Sequence, residues 1–66
     1  MTVWVNGDPR DVASTVTIDA LVAEIAPWRR GVAVALNGLV VRRDDWTATL
    51  LAEGDRVEVL AAAQGG

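Results

Sequence analysis

Hydrophobic positions along the chain change period between segments, and each period predicts an element. From Thr2 to Asn6 they alternate. Val3 and Val5 share one face of a pleat, and Thr2, Trp4 and Asn6 share the other, which predicts a strand. The run Asn6-Gly7-Asp8-Pro9 is a turn signal, and Arg10–Thr15 reads as a returning strand with poor alternation, so the chain opens with a hairpin. From Thr17 the period lengthens. Ile18, Leu21, Val22 and Ile25 fall at i, i+3, i+4 and i+7, one apolar stripe of a helix. Thr17 can cap that helix through its hydroxyl, Asp19 lies in the first turn where the macrodipole favours an anion, and Pro27 ends it near Ala26.

The second half reads as three strands. Val32–Asn37 is almost wholly apolar, with a bulky set (Val32, Val34, Leu36) that should face the helix and a small set (Ala33, Ala35) that should face away. Asn37-Gly38 is a favoured type I′ hairpin pair, and Leu39–Arg43 is a short edge strand ending in charge. Asp44–Leu50 reads as a loop with room for one helical turn. Glu53-Gly54-Asp55 is a turn, and Arg56–Leu60 is the last strand, with Val57 and Val59 inward and Arg56, Glu58 and Leu60 outward. The order strand, strand, helix, strand, strand, strand lets the first and last strands lie parallel in the middle of one sheet. That is an α+β, β-grasp (ubiquitin-like) architecture: a mixed sheet of four to five strands with one main helix packed on one face. Residues 1–60 form the expected domain and residues 61–66 a C-terminal diglycine tail.

Composition narrows what such a domain can do. Sixty-six residues make one small core, and 52% apolar content is enough to build it. Cysteine and histidine are both absent, so no disulfide or ordinary zinc site can staple it. The same absence removes the usual general base, the thiol nucleophile and transition-metal ligands. Asp8, Asp11, Asp44 and Asp45 are expected in turns as solvated loop charges. No catalytic or metal-binding residue is therefore assigned, and the chain is not expected to be an enzyme. A net charge of −3 gives no footprint for nucleic acid. No apolar run approaches the roughly 20 residues of a membrane span, and no signal-peptide pattern opens the chain, so a cytoplasmic protein without membrane contact is expected.

Past Leu60 the side chains shrink through Ala61-Ala62-Ala63-Gln64 to Gly65-Gly66. Six extended residues reach at most about 20 Å, enough to cross a narrow channel to a buried site. Glycine has no Cβ, so a partner's walls can close on the backbone. The Gly66 carboxylate is then the group presented to chemistry: a poor acyl donor as it stands, and a good one once ATP converts it to an acyl-adenylate. A frayed end is the alternative reading.

The stretches Val32–Trp46 and Leu51–Gly66, with the opening Val3–Gly7, resemble the ThiS/MoaD family of sulfur carriers, and in particular its thiamine-biosynthesis branch. The most specific matches are Asn37-Gly38-x-Val40-Val41, Trp46 in Arg43-x-x-Trp, the Gly54–Val59 turn and strand, and the terminal Gly65-Gly66; Arg10–Thr15 matches only loosely. The resemblance implies a cosubstrate rather than a catalyst. A ThiF-type, E1-like adenylyltransferase would spend ATP on the Gly66 carboxylate, with no cofactor bound by the chain itself. A sulfur donor such as a cysteine desulfurase would then supply sulfur to leave a thiocarboxylate. A ThiG-type thiazole synthase would take that sulfur.

Gly66 and Gly65 are thus the expected reaction site, and Ala62, Ala63 and Gln64 are expected to fit a partner's channel. Trp4 should share the non-helix face of the sheet with Leu60, Ala33 and Ala35. It either folds over an edge as core or belongs, with Leu60, to an apolar patch that docks a partner. Trp28 and Trp46 are expected to cover the ends of the core, and Arg29-Arg30 and Arg42-Arg43 to be solvated. The free chain is expected to be a monomer. Three other readings stay open: a carrier for another pathway, such as the small subunit of molybdopterin synthase; a protein modifier, which without lysine could not build lysine-linked chains on itself; and a β-grasp interaction module with an inert tail.

Overall fold

The computed structural model describes residues 1–28 and 31–61. Five strands and one α-helix follow in the order β1 (Thr2–Val5), β2 (Asp8–Asp11), α1 (Ile18–Ile25), β3 (Val32–Leu36), β4 (Leu39–Val41) and β5 (Arg56–Ala61), with a 3₁₀ helix at Arg43–Ala48 before β5. The sheet order is β2-β1-β5-β3-β4, with β1 and β5 parallel and all other neighbours antiparallel. This is the β-grasp arrangement, and the parallel central pair stands where the strand order placed it.

The first hairpin departs from its expected register. Asn6 and Gly7 both adopt left-handed backbone (φ 51° and 89°), so the turn uses only two residues and the returning strand begins at once, at Asp8. β2 is therefore Asp8–Asp11, not Arg10–Thr15, and Asp8 and Asp11 sit in a strand rather than in turns. Pro9 is tolerated because of the ladder's parity. It faces Trp4, whose N–H points the other way, to the Asp55 carbonyl on the β5 side (2.8 Å). Pro9 thus falls at a non-bonded pair on an edge strand, where a missing N–H costs no ladder bond.

Helix α1 forms as its stripe predicts. Thr17 is extended and its Oγ1 accepts from the Ala20 N–H (3.1 Å). Ile18, Leu21 and Val22 are fully buried, and the Ala26 N–H makes the last bond, to the Val22 carbonyl (2.7 Å), just before Pro27. The helix lies over Val3, Val34 and Val57, which are buried beneath it, with Val5, Val32, Leu36, Val41 and Val59 partly buried around them. The bulky set of β3 and the inward set of β5 thus take the places expected of them.

Trp46 closes one end of this core. The 3₁₀ helix turns its indole inward to 2% exposure, its Nε1–H donates to the Val41 carbonyl (3.0 Å), and the Arg43 guanidinium lies 5.0 Å from the ring centre. Leu51 is buried in the same core, and the chain around it is pinned to the start of α1 by the Ile18 N–H to the Thr49 carbonyl (3.0 Å) and the Leu51 N–H to the Val16 carbonyl (3.1 Å). Trp28 does not close the other end. It stands 60% exposed, because Pro27 stops the helix at Ala26 and the tryptophan falls beyond the buried stripe; Ala26 itself is buried there. Arg42 and Arg43 are solvent-exposed as expected, and Arg29-Arg30 lie outside the described residues.

Two substitutions test these roles. A domain of this size holds roughly 3–10 kcal/mol at ~0.05–0.15 kcal/mol per residue. Trp46→Ala removes the largest buried side chain and should cost about 3–5 kcal/mol, leaving much of the protein unfolded in urea titration followed by circular dichroism. Thr17→Ala should cost about 1 kcal/mol in the same measurement, by losing the cap alone.

Candidate functional site

The last strand occupies the centre of the sheet, and its environment changes along its length. Toward β3 it pairs in register over five positions, from Leu36↔Val57 to Val32↔Ala61. Toward β1 it pairs only at its start, Trp4↔Arg56 and Val5↔Val57, because β1 turns away at Asn6. The Asn6 N–H donates to the Val57 carbonyl (2.9 Å), and beyond that the Asn6 side chain takes over. Its Oδ1 accepts from the Val59 N–H (2.8 Å) and its Nδ2 donates to the Val59 carbonyl (3.1 Å). Asn37, in the other hairpin turn, holds the opposite end of β5. Its N–H donates to the Arg56 carbonyl (2.7 Å), its Oδ1 accepts from the Arg56 N–H (2.9 Å) and its Nδ2 donates to Asp55 (3.1 Å). The turn leading into β5 is tied to β1, with the Gly54 N–H bonded to the Thr2 carbonyl (2.8 Å) and the Glu53 carboxylate accepting from the Thr2 N–H (2.9 Å).

β5 therefore leaves the sheet at the end marked by Val59–Ala61 and carries the chain onward to residues 62–66. Ala62, Ala63, Gln64, Gly65 and Gly66 lie outside the described residues. At the exit, Val5, Ile25, Trp28, Val59 and Ala61 line an open cleft between the end of α1 and the first hairpin.

Leu60 and Trp4 are on the face away from the helix, as their alternation requires, and both are open to solvent, at 67% and 42%. Trp4 thus belongs to the surface rather than to the core. The two do not touch through the sheet: Trp4 is level with Arg56, and Leu60 lies four residues further along β5, about 13 Å at ~3.3 Å per residue. Arg56 stands beside Trp4, and Glu58 lies between the two levels. Leu60 is level with Ala33, and Glu58 with Ala35 and then Val40, which is 78% exposed. The open face therefore carries Arg56 beside Trp4 at one end, Glu58 in a row with Ala35 and Val40 in the middle, and Leu60 beside Ala33 at the other end. Among the described residues no polar or charged side chain is buried, and no group of three potential metal ligands comes together. No described helix is long and apolar enough to cross a membrane.

Sequence reasoning missed two features of this site. Val40 was not placed on the open face, although β4 alternates from Leu39 to Val41. Alternation places Asn6 on a strand face with Thr2 and Trp4, and turn geometry accounts for Asn37, but neither reading finds their side-chain bonds to β5. The available signal is that both turns use Asn-Gly, when Asp-Gly or Gly-Gly serve the same backbone; of these three first residues, only asparagine carries a donor and an acceptor together at neutral pH.

Comparison with known proteins agrees with this geometry. The family model for the ThiS family matches residues 3–66. The sulfur carrier protein ThiS of Thermus thermophilus is 38% identical over 64 residues, covering 97% of this chain and 98% of that protein. A thiazole synthase of Paramagnetospirillum magneticum is 30% identical over all 66 residues, and this chain spans only 20% of its length. The crystal structure of a thiamine biosynthesis protein (ThiS) from Geobacter metallireducens superposes with a TM-score of 0.85 at 35% identity, with full coverage of both chains. The solution structure of a thiamine biosynthesis protein from the same organism gives 0.82, covering all of this chain and 88% of that one. A match over nearly the whole chain, in sequence and in backbone alike, means that this chain belongs to the ThiS family.

Proposed function

We propose that this member of the ThiS family, a sulfur carrier of thiamine biosynthesis, carries its sulfur on the Gly66 carboxylate and acts as a cosubstrate of other enzymes. The observation that supports this most is the placement of β5. The strand is central, is bonded on both sides as far as Val59, and is followed in sequence by Ala62–Gly66. A rigid strand followed by small residues suits delivery of one carboxylate into a partner's active site.

The chemistry runs in two displacements. In the site of a ThiF-type adenylyltransferase, a Gly66 carboxylate oxygen attacks the α-phosphorus of ATP. Pyrophosphate leaves and an acyl-adenylate forms. A donor's sulfur, as hydrosulfide or as the terminal sulfur of a persulfide generated by a cysteine desulfurase, then attacks the acyl carbon and AMP departs. With a persulfide donor, a thiol reduces the resulting disulfide. The product is a thiocarboxylate, which gives its sulfur to a thiazole synthase and returns as carboxylate. The match to a stretch within a thiazole synthase favours that enzyme as the acceptor. ATP is the partner's substrate, the work is cytoplasmic, and the chain contributes no catalytic group of its own. Gly65 lets the channel close on the backbone. Ala62, Ala63 and Gln64 fit inside the partner's channel, and Trp4 and Leu60 dock on the partner's surface.

Incubation with ATP, a ThiF-type enzyme and a sulfur donor should convert the intact mass by exchange of one oxygen for sulfur, mapped to Gly66 by fragmentation. A chain lacking Gly66 should keep its fold and gain no sulfur. No mass change with an enzyme shown to be active on another carrier would sink the reading. Leu60→Ala and Trp4→Ala should weaken binding to the adenylating enzyme by about fivefold or more, the threshold for an interface residue that matters, and change in unfolding free energy should be small for the exposed Leu60. Unchanged affinity in both variants would remove the open face from the interface.

A further inference from the structure

We propose that Asn6 is a positioning residue for the carboxyl terminus: its side-chain amide replaces the peptide unit that β1 no longer supplies, and so fixes the direction in which β5 delivers the tail. The proposal rests on the carrier reading above. In a parallel ladder, the bond from the Asn6 N–H to the Val57 carbonyl should be followed by one from the Val59 N–H to the Asn6 main-chain carbonyl. The left-handed turn at Asn6 (φ 51°) swings the chain away toward Gly7. The Val59 N–H instead meets Asn6 Oδ1 at 2.8 Å, and the Val59 carbonyl accepts from Asn6 Nδ2 at 3.1 Å. Both backbone groups of Val59 are thus satisfied by one side chain from 53 residues away. Past Val59 the strand is paired only with β3, at Leu60↔Ala33 and Ala61↔Val32. Val59 is the last residue of β5 held from both sides, and Asn6 is what holds it on the β1 side.

Turn geometry alone does not account for the residue. Glycine or aspartate in its place would support the same two-residue turn. Aspartate, when ionised, offers acceptors only, and would set a carboxylate oxygen against the Val59 carbonyl. Asn37 supplies a matched internal control. It has the same left-handed backbone (φ 50°), the same following glycine and the same kind of side-chain bond to β5, but at Arg56, the end remote from the tail. A partner that must thread the terminus into a channel loses less freedom if the strand behind it is already aimed. Releasing Val59 should therefore raise KM and leave the chemical step alone.

The test compares Asn6→Gly with Asn37→Gly in the full chain; glycine keeps each turn and deletes only the amide. Amide hydrogen exchange is read at Val59 by NMR, and KM and kcat are read for ATP-dependent adenylation of the chain by a ThiF-type enzyme. Asn6→Gly removes two such bonds, each corresponding to about a 3- to 10-fold change in a local opening equilibrium, or roughly 10- to 100-fold together. Asn6→Gly should therefore speed Val59 exchange and raise KM by that order, with kcat little changed. Asn37→Gly should lower thermal stability comparably while leaving KM at the wild-type value. Equal KM values for the two variants, or unaltered Val59 exchange in Asn6→Gly, would overturn the proposal. Should Asn6→Gly fail to fold, Asn6→Asp, which keeps the acceptor and loses the donor, is subject to the same comparison. A wild-type chain that is never adenylated contradicts the carrier reading instead, and Val59 exchange alone then decides the role of Asn6.

Discussion

The parallel pairing of β1 with β5 is the constraint on which the other features of this fold depend. It brings the two ends of the sequence side by side at the centre of the sheet, with Val57 buried between Val5 and Leu36. A parallel pair cannot be closed by a hairpin, so everything between must travel out and return. The helix and the second hairpin make that journey. The helix lands on the face where Val3, Val34 and Val57 wait, and the β3–β4 hairpin flanks β5 on its other side. The pairing also carries a kinetic consequence. Its contacts join residues more than fifty positions apart, so the centre of the sheet closes only after most of the chain is available.

The sheet divides its two faces between different tasks. One face is dry and holds the whole buried core, from Val3 to Val57, sealed at one end by Trp46. The other carries Trp4, Leu60 and Val40 in the open, with Arg56 and Glu58 among them. Stability resides on the helix side, so the exposed side chains of the open face are not needed for the core. This is the division expected of a cosubstrate. The folded part supplies an open face and a central strand, and the proposed reactive group, the Gly66 carboxylate, follows that strand in sequence.

Most of the architecture was legible in the sequence because it rests on local periodicity. The stripe Ile18, Leu21, Val22, Ile25 fixed the helix, Thr17 and Pro27 fixed its ends, and the alternation of Arg56–Leu60 told the two faces apart. What was not legible depended on turns and on tertiary partners. The returning strand begins two residues earlier than the turn signal predicts, because Pro9 argues against a strand until the parity of the ladder is known. Trp28 is expected to cover one end of the core, and Pro27 leaves it outside. The amides of Asn6 and Asn37 bond to a strand far away in sequence, which no local pattern reveals. The candidate reaction site was read from composition: no histidine, no cysteine, and a chain tapering to two glycines.

The central claim is that the Gly66 carboxylate becomes an acyl-adenylate. Since that step is reversible, it is tested most directly by ATP–pyrophosphate exchange. Labelled pyrophosphate should enter ATP when a ThiF-type enzyme is given this chain, and should fail to do so when the chain is omitted or lacks Gly66. Exchange that proceeds equally well with the truncated chain would contradict the account, because the group activated would then lie elsewhere.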